Sequence, residues 1–310
     1  MAPGSPHRVV ECKTIDGTDI SGWLYEVPGP APAIIMSHGF NCVKEMALPD
    51  VAELFHALGY NVLLYDARSV GNSGGTPRNL VNPLQFAEDL SDVYTYVSRL
   101  PSVDATKIIL WGLSFGSVVS ACNAAVDHRA KAVIMVCPLF SYVQPSREDA
   151  AFAQVIKDRV SQLRGNEPYS LQPFSPDGTN PIGMAGSGGP GGDEAYHFMQ
   201  LAAEKGAEGF RDRIALQTYQ KLALFRPKEC LDMIRCPVMT VIPEFDDISS
   251  PQEQAESVAR IKAPSHVYWA KGKGHLNVVT GEDVGQLVTD MDVFIKAVLR
   301  GDTQAFVKAP

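Results

Sequence analysis

Residues 107–125 read KIILWGLSFGSVVSACNAA. Lys107 to Trp111 is a short, continuous apolar run, the pattern of a strand buried on both faces. Gly112-Leu113-Ser114-Phe115-Gly116 follows and matches G-x-S-x-G. The small residues after it, to about Ala125, predict a helix. A serine held between a strand and a helix occupies a sharp, strained turn that lifts its hydroxyl clear of the sheet. Positions two before and two after it crowd the backbone, which is why both are glycine. The helix N-terminus behind the serine adds the positive end of a dipole. A chance Gly/Ser turn would carry neither flanking element, so Ser114 is the candidate nucleophile.

Outward from this turn, strands and helices alternate. Arg8–Thr14 and Ile20–Val27 predict a hairpin around Asp16-Gly17. Ala33–Met36 is the next strand and runs into His38-Gly39-Phe40. Val51, Leu54, Phe55 and Leu58 recur at helical spacing over residues 50–58, and Gly59 closes that helix. Asn61–Tyr65 is another buried strand. Asn82-Pro83-Leu84-Gln85 is a helix start, followed by Phe86, Leu90, Val93, Tyr94, Val97 and Leu100 in helical period. Lys131–Cys137 is again a strand. Alternation of this kind predicts a parallel sheet covered by helices on both faces.

The alternation stops at Pro138 and resumes only after about Lys228. Helices are expected near 147–163, 194–205 and 210–224, with no convincing strand. Residues 176–192 hold seven glycines and three prolines, too little apolar surface to order such a stretch by burial. Residues 138–228 are therefore expected to form an inserted helical cap with a mobile loop. The core would be 1–137 and 229–310. Strand Pro237–Ile242, the capping box Ser250-Pro251-Gln252-Glu253, strand Val267–Ala270 and a helix over 281–299 complete it.

His275, in Gly272-Lys273-Gly274-His275 after the last strand, is the candidate base. It follows an acid and a nucleophile in the chain order Ser–acid–His. The other histidines fall elsewhere: His38 on the loop after the third strand, and His7, His56, His128, His197 and His266 on termini, helix faces or strand ends. Two acids, Asp246 and Asp247, stand where strand Val238–Ile242 ends. The spacing to Pro251 favours Asp247, with Asp246 the alternative. Backbone N–H groups of Phe40 and Phe115 are the candidate oxyanion donors. Asp66 and Arg68, in Tyr65-Asp66-Ala67-Arg68-Ser69-Val70-Gly71, are expected to be structural charges: the loop matches neither phosphate-binding fingerprint. No zinc or other metal motif is present and no cofactor is called for.

Composition sets the outer limits. In 310 residues, 45% hydrophobic and 20% charged, 27 basic residues face 35 acidic ones, for a net charge of −8. No basic run offers a nucleic-acid surface. No apolar run approaches the roughly 20 residues of a membrane span. The N-terminus has no apolar segment of a secretory signal. Six cysteines without a C-x-x-C pair read as buried free thiols of a cytoplasmic protein. Oligomeric state is left open, a homodimer included.

Taken together, His38-Gly39-Phe40, Asp66-x-Arg68-x-x-Gly71-x-Ser73-x-Gly75, Gly112-x-Ser114-x-Gly116, Asp247 and His275 resemble the α/β-hydrolase superfamily over most of the chain outside 138–228. The chain is further similar to fungal hydrolases of natural-product clusters, the group that includes the fumagillin-type polyketide transferases. That resemblance implies a mostly parallel eight-stranded sheet with a helical cap. It also implies an acyl-enzyme on Ser114, formed from an ester or thioester of an apolar, polyketide-like acyl group, free or bound to a carrier protein. The usual Asp-x-Arg-Gly-x-Gly loop reads Asp66-Ala67-Arg68-Ser69-Val70-Gly71 here. The alternatives are non-hydrolytic use of the same residues (acyl transfer, cyclisation or C–C bond hydrolysis) and a non-catalytic ligand receptor.

Overall fold

The computed structural model describes residues 6–205 and 207–306. The N-terminal stretch that lacks the apolar segment of a signal falls partly on residues 1–5, which lie outside the described residues. In chain order the first half runs β1 (Arg8–Lys13), β2 (Asp19–Tyr25), β3 (Ala31–Ser37), α1 (Leu48–Ala57), β4 (Asn61–Tyr65), α2 (Pro83–Ser98), β5 (Val103–Leu113), α3 (Phe115–Val126) and β6 (Ala132–Val136). Then come α4 (Glu148–Leu163), β7 (Ser170–Leu171), α5 (Gly189–Glu204), β8 (Ile214–Ala215), α6 (Thr218–Leu224) and α7 (Pro227–Cys230). The chain closes with β9 (Val238–Pro243), α8 (Pro251–Val258), β10 (Ser265–Ala270), α9 (Asn277–Thr280) and α10 (Val284–Leu299).

Eight strands form one sheet in the order β1-β2-β4-β3-β5-β6-β9-β10. From β4 to β10 neighbours are parallel, while β2 runs antiparallel to both β1 and β4. The continuous apolar runs follow from strand geometry, because successive side chains point to opposite faces. Ala33, Ile35, Ile108 and Leu110 pack towards α2 and α3, with Phe86, Leu90 and Val118. Ile34, Met36, Ile109 and Trp111 pack towards α1 and α10, with Phe55, Met291 and Phe294. Both faces are buried, so both sets must be apolar. The strand order reverses between β3 and β5, and the carboxyl ends of strands at such a point are where ligands bind in open α/β sheets.

Residues 138–228 depart from expectation in two ways. The helix expected over 210–224 is confined to α6. Just before it β8 pairs with β7 in a two-residue antiparallel ladder. The glycine-rich stretch is packed rather than loose. A β-carbon on Gly178, Gly183, Gly186, Gly191 or Gly192 would come within 3 Å of another residue, mostly backbone. Glycine there permits close approach as well as turning. Buried Asn180 organises the stretch: its amide donates to Pro173 O, and its carbonyl oxygen accepts from the N–H groups of Ile182 and Met184 and from Tyr219 Oη. Polar satisfaction of this kind orders a segment that apolar burial alone would not.

Candidate active site

The carboxyl ends of five parallel strands deliver the site. Gly112 and Gly116 are required by contact: a β-carbon on Gly112 would lie 2.3 Å from Gly116 O, and one on Gly116 would lie 2.3 Å from Ser37 O. Between them Ser114 has φ 54° and ψ −114°, a strained conformation for a residue with a side chain. Ser117 Oγ donates to the carbonyls of Gly112 and Val136 and ties the turn to β6.

Ser114 Oγ lies 2.7 Å from His275 Nε2, and His275 Nδ1 lies 2.8 Å from Asp246 Oδ2. The sequence spacing favoured Asp247; the structure puts Asp246 in that place. Asp246 is buried and Asp247 exposed. The reason is local. After β9 the chain turns so that Asp246 Oδ1 accepts the N–H groups of Ile248 and Ser249, which aims the carboxylate inward. Gln254 Nε2, from α8, donates to Oδ2 at 2.9 Å. Ser249 Oγ donates to Pro138 O and fixes this loop to the end of β6. Neither Gln254 nor Ser249 was legible as a site residue. Gln254 sits in the first turns of the helix capped by Ser250, and that position was the only available signal.

Cys137, which follows β6 at φ 40°, is also part of the site. Its thiol donates to His275 O and lies 3.9 Å from His275 Nε2. Burial pushes the Cys137 thiol up. Burial by itself would pull the His275 pKa down; the Cys137 and Asp246 side chains oppose this and hold it well above the ordinary histidine value.

Phe115 opens α3, so its N–H has no acceptor within the helix. The N–H of Phe40 likewise finds no acceptor among the hydrogen bonds of its loop. The two residues adjoin: their rings meet edge to face at 5.7 Å, and Gly39 packs on Ser114. Buried His38 holds this loop. Its Nε2 accepts the Ala67 N–H and its Nδ1 lies 2.9 Å from Gly39 O, which assigns the proton to Nδ1. Burial lowers its pKa, consistent with a neutral ring. Asp66, fully buried, accepts from the Lys44 and Asn72 N–H groups and from Lys44 Nζ. Arg68 reaches Asp89 and Asp16. Both are therefore structural charges beside the site, despite the altered glycine spacing. His7, His56, His128, His197 and His266 are half-buried or exposed and take no part.

Ser114 and His275 open into a cavity of about 40 Å³. Its apolar wall comes partly from the 138–228 segment, through Phe174, Met184, Phe198 and Met199. Chemically, an imidazole so placed can take the serine proton while the carboxylate steadies its charge.

A serine at a strand-to-helix turn, with acid and histidine supplied in that order by the last two strands of a mostly parallel sheet, defines the α/β-hydrolase class. The model of the alpha/beta hydrolase family matches residues 34–288, and the chain belongs to that family. A thiohydrolase of Eupenicillium brefeldianum is 39% identical over 94% of each chain. A polyketide transferase of Aspergillus fumigatus is 37% identical over 93% of this chain and 97% of its own. The solved structure of DcsB in complex with its substrate analogue is 56% identical, with a TM-score of 0.91, over 94% of this chain and 99% of that one. Among the described residues no helix is long and apolar enough to cross a membrane.

Proposed function

We propose that the protein transfers an apolar, polyketide-like acyl group from an ester or thioester to Ser114, and from there to water or an alcohol. The observation that carries this reading is the buried chain Ser114–His275–Asp246 facing an apolar cavity. His275 Nε2 takes the Ser114 proton as Oγ attacks the carbonyl. Asp246, accepting from Nδ1, holds the tautomer and stabilises the imidazolium. The carbonyl oxygen, now negative, is received by the N–H groups of Phe40 and Phe115. His275 then protonates the leaving thiol or alcohol, and an acceptor activated in the same way releases the acyl group.

Residues 138–228 act as a cap over this step. A cavity of about 40 Å³ is well below the roughly 300–1,000 Å³ of small-molecule pockets. An acyl chain therefore enters only when Phe174, Met184, Phe198 and Met199 move apart. The names of the relatives, thiohydrolase and polyketide transferase, support thioester chemistry and acyl transfer. A thioester carried on a small thiol or on a carrier protein would present the same carbonyl. Six free thiols support a reducing, cytoplasmic setting.

The test is intact-protein mass spectrometry after incubation with a panel of acyl thioesters. The expected result is one added acyl group, mapping to Ser114 and absent in Ser114→Ala. A chase with water or alcohols then reads the preferred acceptor. Acylation at another residue, or turnover that survives Ser114→Ala, would overturn the proposal.

A further inference from the structure

The histidine of the site has a neighbour that acyl transfer does not use. Cys137 Sγ lies 3.9 Å from His275 Nε2, the same atom that faces Ser114 Oγ at 2.7 Å. One ligand atom each of Cys137, Asp246 and His275 lies within 4.8 Å of the other two, and all three side chains are buried. Among the described residues no other three side chains of the metal-ligating types converge in this way. They come from three separate segments, after β6, β9 and β10, so no local spacing announces them.

We propose that this corner binds one soft divalent cation, zinc or cadmium, through Cys137 Sγ and His275 Nε2, with Ser114 Oγ as a third donor, and that the bound cation switches the enzyme off. Thiolate and imidazole suit zinc, whereas magnesium and calcium take oxygen ligands. Zinc sits about 2.3 Å from sulfur and about 2.0–2.1 Å from nitrogen, so a sulfur and a nitrogen on one ion are at most about 4.4 Å apart. The observed 3.9 Å falls inside that span. Asp246 supports the ring from behind, facing Nδ1 at 2.8 Å. A ligating histidine whose other nitrogen donates to a carboxylate is fixed in orientation and made a better donor. Ser114 and His275 line the cavity, which gives the ion its way in and a water as fourth ligand. On binding, Cys137 gives up its bond to His275 O and its proton leaves to solvent as the S–metal bond forms. The Nε2 lone pair, which would take the Ser114 proton, is then held by the metal. The loss of activity rests on the acyl-transfer reading; the binding itself does not.

The experiment titrates the folded full-length chain with cadmium and follows the thiolate-to-cadmium absorption in the ultraviolet. One equivalent should saturate it, zinc should compete, magnesium should not, and EDTA should reverse it. Cys137→Ser and His275→Gln should each weaken binding by about tenfold or more. Cys42→Ser, whose thiol lines the same cavity, and Cys230→Ser should leave the absorption in place. Ser114→Ala should still bind, with water replacing the hydroxyl, so the site is read without turnover. In the wild-type chain, where no variant has to fold, one equivalent of zinc should block fluorophosphonate labelling of Ser114 and EDTA should restore it. A chain that binds cadmium through Cys137 yet never takes the fluorophosphonate would count for the metal site and against acyl transfer. Absorption that survives Cys137→Ser or vanishes in Cys42→Ser, or Ser114 labelling undiminished by saturating zinc, would each overturn the proposal.

Discussion

A β-carbon placed on Gly191 would stand 2.5 Å from the carbonyl oxygen of Asp247. The glycine-rich stretch of the 138–228 segment is thus seated on the loop that aims Asp246 at His275. The same loop is touched again at Gly186, whose β-carbon would lie 2.9 Å from Ile248 O. Packing of the inserted segment and orientation of the acid are therefore coupled through Asp247 and Ile248.

Gly191→Val should accordingly lose both stability and activity. Forcing atoms into a packed site costs about 1–3 kcal/mol. The displaced loop includes Ile248, whose N–H holds Asp246 Oδ1. Thermal unfolding and kcat/KM measured together test this; a variant with unchanged stability would show that the contact yields freely.

The same packing predicts that limited proteolysis of the folded protein spares residues 176–192. Backbone bonds such as Gly188 N–H to Gly178 O at 2.7 Å must open before a protease can bind. A first cut within this stretch, mapped by mass spectrometry, would show instead that the segment opens readily.

The two aspartates should separate sharply. Asp246→Asn is expected to lower kcat by about 10⁴-fold, the scale seen when a triad acid is neutralised and the histidine tautomer is wrong. Asp247→Asn, at an exposed side chain, should stay close to wild type. Circular dichroism of both variants would confirm that they are folded.

The pH profile follows from the raised His275 pKa. Below that pKa the imidazolium cannot accept the Ser114 proton, so kcat/KM should rise with pH. The midpoint should lie above the ordinary histidine value of about 6.5. Residual activity in Asp246→Asn should show a lower midpoint, because the opposing carboxylate charge is gone. An unmoved midpoint would assign the profile to another group.

A fluorophosphonate should label Ser114 once, and Ser114→Ala should lose several orders of magnitude in turnover, because nucleophile and base act as a unit. Peptide mapping of the adduct checks the position.

Much of this protein was legible in local sequence. Lys107–Gly116 carried the strand, the turn and the candidate nucleophile, because a G-x-S-x-G elbow depends on contacts between near neighbours: Gly112 meets Gly116. The apolar runs of β3, β4, β5 and β6 carried the sheet, because burial on both faces leaves no polar alternation. The chain order of serine, acid and histidine pointed to His275. The tertiary structure alone decided between Asp246 and Asp247. Adjacent residues on one loop share every local signal, and the choice was made by Ile248, Ser249 and Gln254 donating to one carboxylate and not the other. It also decided the glycine-rich stretch, where composition argued for looseness. Composition counts what a segment can bury by itself, whereas these glycines serve the close approach of Arg147, Asp247 and Ile248, partners that only the folded chain brings near.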